Sequence, residues 1–86
     1  MDKYDYVFRW LKNASKAERH IDEMESFAKK HPMIFMKFHK SSGAIVNYEE
    51  SDSKYIKAKE ELTKLFDENE ESFKQVFDAI KSKFNY

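Results

Sequence analysis

The chain has 86 residues and no cysteine, and its sixteen Lys and Arg residues balance sixteen Asp and Glu residues to a formal net charge of zero at pH 7. The lack of cysteine excludes a disulfide framework and a thiolate metal site, and the neutral charge is untypical of a dedicated nucleic-acid-binding protein. The length predicts one compact domain over residues 1–86, with eight Phe, five Tyr and one Trp available for its core.

The charges are distributed unevenly along the chain. Residues 1–48 contain nine basic and six acidic residues, a net charge of +3, whereas residues 49–86 contain seven and ten, a net charge of −3. No acidic residue lies between Glu25 and Glu49, and the segment 67–71 has four acids in five positions. Such a distribution is informative about solubility and partners, and not about the fold.

The N-terminal segment is acidic and lacks the apolar region of a signal peptide. No run of residues approaches the roughly 18 consecutive apolar residues of a membrane-spanning helix. We therefore expect a cytoplasmic protein whose partners do not include a membrane.

Residues 2–12 are compatible with two structures. As a helix capped by Asp2, the segment places on one face the residues Tyr4, Val7, Phe8 and Leu11. As a strand, it alternates the aromatic residues Tyr4, Tyr6, Phe8 and Trp10. The helix is favoured because Asn13 offers a stop and Ser15 a new start.

The second predicted helix begins with a capping box, in which Ser15 and Glu18 bond each other's backbone amides. The apolar stripe that follows consists of Ala17, Ile21, Met24, Phe27 and Ala28. Lys29, Lys30 and His31 would occupy the last turn, where positive charge suits the helix dipole. Pro32 then ends the helix.

Residues 33–50 predict a β-hairpin, because apolar residues alternate on both sides of the only glycine. The first strand directs Ile34, Met36 and Phe38 inward, and Phe35, Lys37 and His39 outward. Residues 41–43 form the turn, and the returning strand directs Val46 and Tyr48 inward. The rival interpretation is a short third helix over residues 32–40.

Two more helices follow the hairpin. A helix starting near residues 51–53 has at helical spacing the apolar residues Tyr55, Ala58, Leu62, Leu65 and Phe66. A last helix starts near Glu70, after a second capping box over residues 67–70, and its stripe consists of Phe73, Val76, Phe77, Ile80 and Phe84. We expect a helical hairpin here, although one long bent helix fits the same register.

The predicted fold is therefore α+β and mostly helical, in the order helix, helix, β-hairpin, helix, helix. The first alternative is a β-α-β-β-α-α order, in which residues 2–12 join the hairpin in a three-stranded antiparallel sheet. The second alternative is an all-α bundle.

No motif of the sequence predicts catalysis or a cofactor. His20, His31 and His39 lack the closely spaced partners of a zinc site, and the single glycine excludes a glycine-rich phosphate loop. No serine, histidine and acid stand in the arrangement of a nucleophilic enzyme. We expect a non-enzymatic protein that has neither a metal nor a cofactor.

The outward face of the hairpin and the aromatic residues left at the surface are the predicted contact surface. Five aromatic residues are expected to be partly exposed: Tyr4, Tyr6, Trp10, Phe35 and Tyr86. The candidate partner-binding residues are Trp10, Lys29, Lys30, Phe35, Lys37, His39 and Lys40. Exposed aromatic residues favour a protein partner, whereas lysines beside aromatic rings are also compatible with nucleic acid.

These observations predict a small regulator or inhibitor that binds another protein, with a homodimer as one form of such binding. The alternative is weak nucleic-acid binding through Lys29, Lys30, Lys37 and Lys40. In length and composition the chain resembles the small accessory proteins of bacteriophages and mobile elements, and this resemblance has no motif behind it.

Overall fold

The computed structural model describes residues 3–84, which form five α-helices: α1 (Asp5–Asn13), α2 (Asp22–Lys30), α3 (Pro32–Asn47), α4 (Ser53–Glu68) and α5 (Glu70–Phe84). No strand occurs within residues 3–84. The predicted α+β fold with its β-hairpin is therefore wrong, and so is the three-stranded alternative. The all-α alternative agrees with the structure.

Residues 32–47 form a helix because tertiary packing outweighs the weak turn signal at residues 41–43. Pro32 occupies the first turn, where its fixed φ angle is already helical. Ser42 is buried and its hydroxyl donates to the carbonyl oxygen of His39 at 3.0 Å, which satisfies it within the helix. Phe38 and Ile45 lie on the same buried face. The helix is thus longer than the short rival helix over residues 32–40.

The helix predicted for residues 2–12 is confirmed as α1, and its strand alternative is wrong. All four residues of its predicted apolar face are buried: Tyr4, Val7, Phe8 and Leu11. Asp5 lies in the first turn and forms an ion pair of 2.9 Å with Arg9. The predicted cap Asp2 lies outside the described residues.

The capping box at Ser15 forms, but it does not begin a long helix. The Ser15 amide donates to Glu18 Oε2 at 2.8 Å, and the Glu18 amide donates to Ser15 Oγ at 3.1 Å. The first of these hydrogen bonds lowers the pKa of Glu18. The chain makes only a turn here, and Ala17 is exposed. The second helix starts at Asp22 with Ile21 at its N-cap, so its predicted start was six residues too early.

The last two helices begin close to the predicted positions. Asp52 caps α4 by accepting a hydrogen bond of 2.8 Å from the Lys54 amide. The predicted box over residues 67–70 does not form, because Asp67 belongs to α4 and its Oδ1 accepts instead from the Tyr4 hydroxyl at 2.6 Å. A single residue, Asn69, separates α4 from α5.

Phe66 of α4 is the centre of the core. Its ring is fully buried and contacts rings from three other helices at centroid distances of 5.1–6.2 Å: Tyr4, Phe8, Phe38, Phe73 and Phe77. The short helix α2 joins through Phe27, which stacks on Phe73 at 4.3 Å. Aromatic contacts of this kind add to the free energy gained by burying the rings.

The backbones of α1 and α4 do not pack closely against each other, although their side chains are in contact. α3 packs most extensively against α4, while α1 packs against α3 and α5, and α2 against the same two helices. Phe66 of α4 contacts Phe8 of α1 and the N-cap residue Tyr4 in the interior. An open groove runs between the two helices above these rings. None of the helices in residues 3–84 has the length and apolar character to cross a membrane.

Candidate partner-binding surface

Trp10 belongs to the core and not to the surface. Only 2% of the residue is exposed, because α1 packs against both α3 and α5 and is therefore buried on more than one face. Its Nε1 has no hydrogen-bond partner within residues 3–84. The prediction of a partly exposed indole is therefore wrong, and Trp10 supports the fold instead of presenting a contact surface.

The other aromatic residues expected at the surface divide into two groups. Tyr6 and Phe35 are half-buried, as predicted, whereas Tyr4 is only 2% exposed, contrary to prediction. Phe35 stacks on His39 at a centroid distance of 5.9 Å and lines a small groove of about 240 Å³ with Ile21, Met24 and Ala28. Tyr86 lies outside the described residues. Phe35 is thus half-buried beside α2 and presents only part of its ring to a partner.

Three of the four lysines predicted to form one basic surface line two different grooves. Lys30 lines a groove between α2 and α5, together with Glu23 and Glu71. Lys37 and Lys40 line a groove of about 340 Å³ between α3 and α4. Lys29, at the end of α2, forms an ion pair of 3.7 Å with Glu25. The nucleic-acid alternative loses support from this division, because the backbone of a nucleic acid requires a continuous basic surface.

The solvent side of α3 carries two large apolar residues that the fold leaves uncovered. Met33 is 67% exposed and Met36 is 62% exposed. Lys37 and Lys40 follow at helical spacing and are also exposed, so that these four residues, at positions i, i+3, i+4 and i+7, lie along one side of the helix. We call them the α3 outer face.

The α3 outer face is positively charged, although less strongly than the sequence predicts. α3 contains no acidic residue, and neither Lys37 nor Lys40 forms an ion pair within the described part of the chain. Glu61 and Glu68 of α4 line the same groove as the two lysines and reduce the positive charge there. Ser41 also donates a hydrogen bond of 3.1 Å to Glu61 Oε2. The lysines therefore flank the methionines without being neutralised by direct contact.

A larger groove, of about 1020 Å³, lies between α4 and α1, and it shares Lys64 and Glu68 with the groove between α3 and α4. We call it the α1–α4 groove; it is lined by Asp5, Phe8, Arg9, Lys12, Asn13, Glu50, Tyr55, Ile56, Lys59, Glu60, Thr63, Lys64, Asp67 and Glu68. Its floor is aromatic, with Lys59 above the Phe8 ring at 5.4 Å and Lys12 above the Tyr55 ring at 5.6 Å. Burial, followed by the carboxylates of Glu50 and Asp5, raises the pKa of Tyr55.

Sequence reasoning named Lys37 and Lys40 but missed the methionines beside them, and it missed the α1–α4 groove. The helical spacing of these methionines and lysines was visible in the sequence, but the strand interpretation placed Met36 and Lys37 on opposite sides. The α1–α4 groove left no such signal, because it results from the distance between helices that are remote in sequence.

Three groups that could ligate a metal lie together at the start of α2. The ligand atoms of His20, Asp22 and Glu25 are within 4.8 Å of one another, and all three residues are exposed. Glu25 is already shared between His20 and Lys29, both at 3.7 Å. Acidic residues at this position also stabilise the N-terminal end of a helix. We assign no metal to this cluster.

Comparisons with known proteins give no relative to which a function could be traced: no family model, no curated protein and no solved structure matches the chain.

Proposed function

We propose that the chain is a small non-enzymatic regulator or inhibitor that acts by binding another protein through the α3 outer face. The observation that supports this most directly is the exposure of Met33 and Met36, one helical turn apart on a helix whose opposite side is buried. A folded protein that leaves two adjacent large apolar side chains uncovered often covers them on association.

The chemistry of the face defines the kind of partner. Methionine is unbranched and polarisable, so its side chain adapts to an irregular apolar groove. The lysines at the border favour carboxylates on the partner, which increase the rate of association and fix its orientation. The partner is therefore a protein with an apolar groove, wide enough for one helix and bordered by acidic residues.

The test compares the proteins that tagged variants retain from the native host. Replacing both methionines, in M33S/M36S, should abolish retention of the specific partner, whereas the fold should survive because both side chains are solvent-exposed. Ile56→Ser is the matched control, since it also removes an exposed large apolar side chain (47% exposed) but leaves the α3 outer face intact. Equal retention by the two variants would contradict the proposal.

A second variant distinguishes binding to a protein from the nucleic-acid alternative. Reversing two charges, in K37E/K40E, should weaken binding to the protein partner and leave the low retention on a DNA or RNA column unchanged. A nucleic-acid-binding protein would instead show retention that falls steeply between low and moderate salt and disappears in this variant.

A further inference from the structure

All the sulfur of the chain is in methionine side chains, because the sequence contains four methionines and no cysteine. Two of the four, Met33 and Met36, lie on the α3 outer face and are 67% and 62% exposed. Met24 is partly buried and packs against the core, and Met1 lies outside the described residues. An oxidant in solution therefore reaches the sulfur atoms of the α3 outer face more readily than that of Met24, and no thiol of the same chain competes for it.

Methionine sulfur accepts one oxygen atom from hydrogen peroxide. A sulfur lone pair attacks one peroxide oxygen, and an S–O bond forms as the O–O bond breaks. The other oxygen takes up the proton of the transferred oxygen and leaves as water, so that the sulfur is oxidised by two electrons and the peroxide is reduced by the same two. A flexible apolar thioether thereby becomes a polar sulfoxide, and methionine sulfoxide reductases reverse the change.

Each of the two exposed methionines has a lysine four residues later in α3. Met33 is followed in this way by Lys37, and Met36 by Lys40; residues at this spacing are neighbours on the surface of a helix. Neither lysine forms an ion pair within residues 3–84. A sulfoxide oxygen accepts hydrogen bonds, and an ammonium group is a strong donor. Oxidation therefore changes both parts of the face, because the sulfur becomes polar and the lysine gains an acceptor within its own chain.

We propose that Met33 and Met36 are a reversible oxidation site, and that their oxidation releases the partner protein. This inference rests on the proposed function, because it names a means of regulating the same face. In the apolar groove of a partner, a sulfoxide oxygen either lacks a donor or takes the lysine away from the partner's carboxylates. Burying one polar group without a hydrogen-bond partner weakens an interface about tenfold, and the oxidised face carries two such groups.

The first measurement uses the isolated full chain and hydrogen peroxide. Trypsin cleaves after lysine and arginine, so the Met33–Met36 pair and Met24 are recovered on separate peptides, residues 31–37 and 20–29. The peptide of the pair should gain two oxygen atoms, about 32 Da, several-fold faster than the peptide of Met24 gains one. The thermal midpoint should stay unchanged while only the pair is oxidised, since both side chains are exposed. Equal oxidation rates for the two peptides, or a midpoint that falls as the pair is oxidised, would overturn the inference.

The second measurement repeats the retention of host proteins with oxidised protein from which the peroxide has been removed. Oxidised wild type should retain at least about tenfold less of the partner, and treatment with methionine sulfoxide reductases for both epimers and a dithiol should restore it. M33L/M36L is the matched control, because leucine keeps the apolar volume but has no sulfur. This variant should retain the partner equally before and after peroxide treatment, and a loss after treatment would overturn the inference.

These outcomes are distinguishable from a failure of the proposed function. If M33S/M36S loses a host protein that oxidised wild type retains, the oxidation site is rejected and the proposed function stands. If M33S/M36S retains every host protein that wild type retains, the proposed function is rejected, and regulation by oxidation is rejected with it whatever the oxidation rates.

Discussion

The core around Phe66 and the α3 outer face contain the same class of side chain in opposite environments. Phe66 is fully buried and contacts rings from α1, α3 and α5. Met33 and Met36 are about two-thirds exposed and lie beside lysines. Because burial is what converts apolar area into folding free energy, substitutions in the core should change stability, whereas substitutions on the face should change association alone.

The largest expected effect is that of Phe66→Ala. Removing this ring leaves a cavity where four helices meet, and we expect the free energy of unfolding to fall by about 3–5 kcal/mol. That is a large share of the roughly 4–13 kcal/mol available to a chain of this length. Urea unfolding followed by circular dichroism measures the change. Phe66→Leu retains most of the apolar volume and should show a smaller loss. If wild type, Phe66→Leu and Phe66→Ala had equal free energies of unfolding, the assigned core would be contradicted.

Alkaline pH should destabilise the core at the tyrosines that border it. Burial raises the pKa of Tyr4, and the hydrogen bond of 2.6 Å from its hydroxyl to Asp67 adds to this effect. The unfolded chain then loses the tyrosine proton at a lower pH than the folded chain, near pH 10. The free energy of unfolding should thus be fully retained below pH 10 and fall above it, by at most about 1.4 kcal/mol per pH unit for each tyrosine.

The matched variant Tyr4→Phe isolates this contribution. It should be less stable than wild type at neutral pH, because Asp67 loses its hydrogen bond, and its stability should decline less between pH 10 and 11. The measurement is urea unfolding at a series of pH values. Identical slopes for the two proteins would show that Tyr4 is not held in the protonated state by the fold.

The smallest expected effect on stability is that of the double substitution M33S/M36S. Each exposed methionine should contribute no more than about 0.5 kcal/mol to the free energy of unfolding. A loss of several kcal/mol in urea unfolding would mean that the two side chains are buried, and the distinction between core and outer face would then fail.

The sequence was sufficient to predict the helices whose apolar residues recur at helical spacing. All five predicted core residues of α4 are buried, and the prediction of a helix near the N-terminus holds for α1. Capping signals were less reliable, because a capping box can form without a helix. The Ser15–Glu18 box closes only a turn, since the segment that follows has too few apolar residues to bury before Ile21.

The hairpin prediction failed because the spacing of the apolar residues in this segment fits both a strand and a helix. Ile34, Met36 and Phe38 alternate as in a strand, yet Phe38, Ser42 and Ile45 also form one buried helical face. Gly43 was interpreted as the turn residue. The packing of α3 against α4 decides between these patterns, and no local propensity contains that information. The exposure of Trp10 was mispredicted for the same reason, since only the placement of α1 between α3 and α5 buries it.

The central claim is that residues 32–47 form one helix, from which both the buried face and the α3 outer face follow. Gly43→Ala tests it most directly, because a Cβ atom at this position would meet no atom within 4 Å. In a helix, alanine should raise the free energy of unfolding by about 0.5–1 kcal/mol, with a corresponding rise in the thermal midpoint. A decrease in the midpoint would contradict the account, since alanine is destabilising where a turn requires a glycine with positive φ.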